Sequence, residues 1–185
     1  METFVLILLF IPYLIIKYFT DDHDTAADKD RKRFSEGIEL VQNKQYEEAY
    51  AFFTLLVNRY PKSAIAHLYK GICNYYLSNY YSAIYDFTRS ASFDNTLWEA
   101  CLYKGMSHLE LGEITTAFLE LDKAVWHTRS ENPNVLRFRG EAHFRLHHYD
   151  SARLDWEKAA QLGDENAAYL LQTNFGRPFR LRKSR

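Results

Sequence analysis

The chain is poor in cysteine, in glycine and in unbalanced charge. Its 185 residues hold two cysteines, seven glycines and four prolines, and 23 Lys plus Arg nearly match 24 Asp plus Glu, for a net charge of −1. A balance so near zero exerts no overall pull toward nucleic acid, so no specific nucleic-acid partner is expected. Two cysteines can form one disulfide at most. The sequence has no Walker loop, no dinucleotide fingerprint, no CxxC and no HExxH. Ser, His and Asp are scattered at helical spacings, with no strained nucleophile turn. His147-His148 is the one tight pair of metal-ligand type, and adjacent histidines on a turn do not face one site. These absences point away from an enzyme, and no cofactor or metal is expected. A hydrolytic enzyme would need a polar pocket of convergent titratable groups, and the sequence locates none.

The few glycines are placed with a period. LYKG occurs at Leu68 to Gly71 and again at Leu102 to Gly105, and a near-copy, LRFRG, ends at Gly140. Gly37, Gly71, Gly105 and Gly140 stand 34, 34 and 35 residues apart, and an alanine follows each by 12 residues: Ala49, Ala83, Ala117 and Ala152. A large residue lies four beyond each alanine (Phe53, Phe87, Leu121, Trp156) and a bulky one three before it (Tyr46, Tyr80, Ile114, Tyr149). A fixed period of this length implies stacked units and not one globular core.

Each unit reads as two helices. Ile65, Leu68, Ile72, Tyr75 and Tyr76 fall on one face of a 3.6-residue period, Ser78-Asn79 breaks the run, and Tyr80 to Ser92 resumes it. Asn43-Lys44, Gly112-Glu113 and His147-His148 occupy the same place in the other units. Glycine inside a helix costs roughly 0.5 to 1 kcal/mol relative to alanine, so its recurrence needs a reason. Glycine on the first helix and alanine on the second allow the two backbones to approach closely.

The order glycine, bulky residue, alanine, large residue at this spacing, with Pro61 or Asp94-Asn95 closing units, resembles the tetratricopeptide repeat over about residues 31–164. The match departs from the family pattern in two places. Arg33, His67 and Cys101 stand where an aromatic is often found early in the first helix, and a closing proline is present only in the first unit. The resemblance implies an all-α, right-handed superhelix of about four helix pairs, with units at about 31–63, 64–97, 98–132 and 133–164. The extra residue of the 35-residue step belongs between Trp126 and Pro133, because the glycine-to-alanine spacing is intact on both sides. Lys70, Lys104 and Arg139 each have an acid 16 residues later (Asp86, Glu120, Asp155), which the resemblance places between the two helices of one unit as structural ion pairs.

Cys73 aligns with Ser107 of the following unit and so lies six residues, about 9 Å of helical rise, away from Cys101 along neighbouring first helices. That exceeds the roughly 7 Å reach of a disulfide once helix separation is added, so both should be free thiols, compatible with a reducing compartment.

Repeat arrays need closed ends. Asp164 can cap a short helix over 164–173 with Ala167, Ala168, Leu170 and Leu171 as its apolar stripe, completing a repeat domain over 31–173. Residues 174–185 carry five cations and no acid. They read as a solvated basic tail, the sharper alternative being contact with anionic lipid or RNA.

Residues 1–20, METFVLILLFIPYLIIKYFT, are of another class. Phe4 to Ile16 carries no charge, and Lys17, Tyr18 and Phe19 suit a headgroup layer, so a transmembrane anchor is expected. A cleaved signal peptide is the competitor, weakened by Glu2 where a base should precede the run. Lys and Arg lie only after the span, which places the repeats in the cytoplasm. Residues 21–30 read as an acidic linker.

Binding of a protein partner, a peptide or a helix, is the function this array suits. The resemblance puts the concave face on the first helices, at Phe34, Ile38 and Val41, then Leu68, Ile72, Tyr75 and Tyr76, then Leu102, Met106, Leu109 and Glu110, then Arg137, Glu141, Phe144 and Arg145. Tyr75, Tyr76 and Met106 offer broad contact area, and Arg137 and Arg145 could orient an acidic group; the other reading is that several of these side chains are buried between units, since a sequence does not separate lining from packing. The Lys, Asn and Arg clamp with which chaperone-binding members hold a C-terminal carboxylate is replaced by Phe34, Ile38, Tyr69, Glu99 and Tyr103. The expectation is a single-pass, membrane-tethered scaffold with an apolar, tyrosine-rich groove. The alternative is a translocated repeat protein acting in envelope assembly.

Overall fold

The computed structural model describes residue 13 and residues 24–176. Ten helices occupy the continuous stretch: α1 (Ala26–Arg33), α2 (Ser35–Gln42), α3 (Tyr46–Arg59), α4 (Ala64–Tyr76), α5 (Tyr80–Phe93), α6 (Trp98–Glu110), α7 (Ile114–His127), α8 (Pro133–Arg145), α9 (Tyr149–Gln161) and α10 (Glu165–Phe175). The described residues are all-α, without a strand. Each first helix packs against the second helix of its unit, and each second helix packs against the first of the next. The first helices also touch across units, α2 with α4, α4 with α6 and α6 with α8, so they form the inner side of the array.

The first helices of the four units end alike. Lys44, Ser78, Gly112 and His147 have positive φ, and the amide after each reaches back five residues, as Asn79 N–H does to the Asn74 carbonyl at 2.8 Å. This is a left-handed helix termination that satisfies otherwise orphaned carbonyls. Only one of the four is a glycine; the others hold a side chain where it is disfavoured. Helix starts are capped by Ser63, Asn132 and Asp164, whose side chains accept from the amides of Ala66, Val135 and Ala167. The long step of the period is residues 128–132, where Arg129 and Ser130 both have positive φ.

The alanines at 49, 83, 117 and 152 are fully buried. The closest approach to Gly71, Gly105 and Gly140, however, is made by the large residue four beyond the alanine, and at Gly37 by its neighbour Phe52. A methyl added to Gly105 would lie 2.6 Å from Leu121 Cγ and 3.2 Å from the Ala117 carbonyl oxygen; on Gly140 it would lie 2.5 Å from the Trp156 ring and 3.3 Å from the Ala152 carbonyl. Gly37 and Gly71 are covered by phenylalanines, Phe52 with Phe53 and Phe87. The glycine is therefore a socket for a side chain first and a site of backbone approach second. The three ion pairs bridge first to second helix as expected, Lys70–Asp86 at 3.2 Å, Lys104–Glu120 at 3.3 Å and Arg139–Asp155 at 2.7 Å.

Two expectations change at the N-terminal side. Residues 26–30, read as part of the 21–30 linker, are helical and packed on α4. The cause is a capping box: Thr25 accepts from the Asp28 amide and Asp28 accepts from the Thr25 amide. Docking follows through Ser63 Oγ to Asp30 at 2.5 Å and Arg31 to Glu99 at 2.8 Å. The first helix of unit one is also not continuous, because Phe34 breaks it with φ −102° and ψ 20°. At the other end α10 runs to Phe175, two residues past the expected 164–173 cap, and stops at Gly176 with positive φ. The expected anchor over residues 1–20 lies outside the described residues, apart from residue 13, as does the basic tail from residue 177. Among the described residues no helix is long and apolar enough to cross a membrane.

Candidate functional site: the inner face of the array

The inner face divides into side chains that build the core and side chains that remain at the surface. Phe34, Leu68, Ile72, Leu102, Met106 and Leu109 are buried, between 1% and 8% exposed, and pack between units. Ile38, Tyr75, Arg137, Glu141 and Phe144 are half-buried, whereas Tyr76 at 45% and Arg145 are exposed. Six of the residues grouped as one groove are thus its supporting wall. Gly37, Gly71, Gly105 and Gly140 are buried beneath them.

The surface that remains is a lattice of tyrosines. Tyr76 stacks on Tyr46 of α3 at 4.4 Å between ring centroids, and meets Tyr75 edge-on at 5.2 Å. Tyr103 of α6 lies 5.8 Å from Tyr75 and 6.4 Å from Tyr76, and stacks on Phe87 at 5.8 Å. Tyr69 stacks on Phe53 at 5.3 Å. Tyr75 and Tyr103 pack against both halves of the core, so the lattice is anchored in each. Burial is the main cause that raises the pKa of Tyr75, Tyr103 and Tyr69; Glu110 adds to the rise at Tyr75. The phenols therefore stay protonated and can donate hydrogen bonds. Tyr69 and Tyr103 entered the sequence reading only as places where a carboxylate clamp is missing.

At the N-terminal end of this lattice an open hollow of about 510 Å³ is lined by Arg31, Lys32, Ser35, Ile38, Glu39, Gln42 and Tyr69. Arg31 crosses it, bonding Tyr69 Oη at 3.2 Å and Glu99 at 2.8 Å. At the C-terminal end the surface is closed. Arg145 donates to the Leu109 carbonyl at 2.9 Å and to Glu141 at 2.5 Å, and Arg137 holds Asp164, the cap of α10, at 2.9 Å. Phe175 of α10 lies 6.3 Å from the Phe144 ring and 6.1 Å from Trp156. Both arginines expected to orient a partner's acid are already paired within the chain.

Among the described residues no three His, Cys, Asp or Glu side chains could hold a metal ion. Cys73 and Cys101 are free and buried; burial pushes the Cys73 thiol up to about 12 and raises that of Cys101, which keeps both as thiols. Burial lowers the pKa of His143, whose Nδ1 has no hydrogen-bond partner among the described residues.

No family model matches the chain, and no curated protein matches it. Solved structures do. The first TPR of Spaghetti (RPAP3), bound to the HSP90 peptide SRMEEVD, is 22% identical with a TM-score of 0.57, covering 60% of this chain and 89% of that one. PilF of Pseudomonas aeruginosa is 18% identical with a TM-score of 0.69, covering 82% and 72%. A TPR protein of Thermus thermophilus is 14% identical with a TM-score of 0.62, covering 76% of each chain. Together with the 34-residue register of glycines, alanines and ion pairs, these likenesses identify the fold as that of the tetratricopeptide repeat.

Proposed function

We propose that the chain is a scaffold that holds a protein partner, a peptide or a helix, on the inner face of units one to three, and that residues 1–20 tether it to a membrane with the repeats on the cytoplasmic side. The observation that carries the binding reading is the tyrosine lattice. It places Tyr76 at the surface with its ring fixed from two sides by Tyr46 and Tyr75. Aromatic side chains held in this way lose little freedom on binding and commonly act as interface hot spots. The RPAP3 domain of the same fold, with a bound peptide, supports the reading. The tether rests on the uncharged run from Phe4 to Ile16.

A photoreactive amino acid placed at Tyr76, and separately at Tyr81 on the opposite side of the array, tests the binding face in cells. The expected result is one dominant protein crosslink from position 76 and none of the same species from position 81. Equal labelling from both sides would contradict the assignment. For the tether, full-length protein should remain with membranes through alkaline washing, and release by salt alone would contradict it.

A further inference from the structure

The charges of the inner face are not balanced once the chain's own pairs are removed. Each basic side chain there already has an acid: Arg31 has Glu99 at 2.8 Å, Lys32 has Asp24, Lys70 has Asp86 at 3.2 Å, Lys104 has Glu120 at 3.3 Å, Arg137 has Asp164 at 2.9 Å and Arg145 has Glu141 at 2.5 Å. Glu39, in the N-terminal hollow, and Glu110, at the last turn of α6, have no cationic partner among the described residues and are exposed. These two carboxylates stand at opposite ends of the tyrosine lattice.

The neighbourhood of Glu110 adds negative potential from two more sources. The Arg145 guanidinium bonds the Leu109 carbonyl and Glu141 together, which brings Glu141 beside the turn that carries Glu110. The C-terminal end of a helix also carries the negative end of its dipole, which favours cations. One guanidinium, bonded to Glu141 and the helix end, therefore stands against two carboxylates, leaving the site one positive charge short. The ring of Tyr75, near enough to feel the Glu110 charge, and that of Tyr76 edge-on to it offer faces that attract cations.

We infer that the inner face selects a separate polypeptide segment in which Arg or Lys alternates with aromatic or aliphatic side chains, the cations meeting Glu110 and Glu39 and the apolar side chains lying on Tyr76 and Tyr103. This deepens the binding reading above and rests on it. The occupant has the opposite charge to the EEVD-ending peptide held by the RPAP3 domain. A like-charged segment would face two uncompensated carboxylates and, among the described residues of this face, cations that already hold an acid.

The test is fluorescence anisotropy with the full chain and two labelled synthetic peptides, the cationic RFLRKFRL and the acidic SRMEEVD, at low and at physiological salt. The cationic peptide should bind at least about tenfold more tightly than the acidic one and weaken as salt rises. Glu110→Gln should reduce its affinity about threefold, and Glu39→Gln with Glu110→Gln further, with unchanged thermal unfolding. Tyr76→Ala should reduce it independently of salt. Acidic peptide binding as tightly as the cationic one, or no effect of both glutamate changes, would overturn the charge inference and leave the binding face standing. No measurable binding of either peptide overturns both. If removal of residues 177–185 alone raises affinity about tenfold, the groove's occupant is the chain's own basic tail, and the assignment to a separate partner is wrong.

Discussion

The inner and outer faces of the array both expose large apolar side chains, yet they differ in how those side chains are held. On the outer face Tyr81 is 73% exposed and Trp126 is 76% exposed, and Tyr81 and Tyr85 meet no other ring among the described residues. On the inner face Tyr76 is less exposed but touches three other tyrosines. Isolated exposed hydrophobics are ordinary on protein surfaces. A continuous lattice whose members fix one another is not, because it presents ordered area that costs little entropy to use. Exposure is thus a poor guide to the binding face, and mutual support is a better one.

The largest expected effect breaks the inner face at its base. Gly105→Leu places a branched side chain against Leu121 and the Ala117 carbonyl, and the carbonyl belongs to a helix that cannot yield locally. The cost should be about 3 kcal/mol or more, read as a fall in urea midpoint. A midpoint equal to the parent's would mean that first and second helices do not meet at this register.

Next in size, Asp86→Ala removes an acid that is 1% exposed and that holds Lys70 at 3.2 Å and Asn74 at 2.9 Å. Both donors lose a buried acceptor, so a loss of about 2 kcal/mol is expected. The corresponding change at the solvent side, Asp122→Ala, should cost well under 1 kcal/mol although its bond to Arg139 is shorter, at 2.7 Å. Equal losses at the two positions would erase the distinction between inner and outer ion pairs.

Much of this was legible in the sequence because it is periodic. The glycine and alanine register, the turns at 44, 78, 112 and 147, and the cation-to-acid spacing of 16 each recur, and recurrence separates signal from composition. The division of the inner face was not legible. Leu68 and Ile72 share one helical stripe with Tyr75 and Tyr76, and a 3.6-residue period cannot tell the side that faces the next unit from the side that faces solvent. The Arg31–Glu99 contact spans 68 residues and has no local signature. Helix α1 did have one, Thr25 followed three residues later by Asp28, but the surrounding acids made the stretch read as a tether.

A smaller and opposite effect sharpens the comparison at the turns. His147 has φ 62° where the equivalent residue of unit three is Gly112. His147→Gly removes that strain at the expense of unfolded-state freedom, and a net gain of about 0.5 kcal/mol is expected, read as a slightly higher midpoint. A clear loss would mean that the His147 to Tyr149 hydrogen bond, at 2.8 Å, outweighs the backbone strain.

The contrast between the faces is tested most directly by paired truncation. Tyr76→Ala and Tyr81→Ala remove the same side chain from the inner and outer faces, five residues apart in the chain. Once the protein crosslinked through position 76 is purified, calorimetric titration of each variant gives both affinities. Tyr76→Ala should weaken binding by about 2 kcal/mol, near thirtyfold, and Tyr81→Ala by less than about twofold. A loss at Tyr81 equal to or greater than that at Tyr76 would place the partner on the outer face and contradict the central claim.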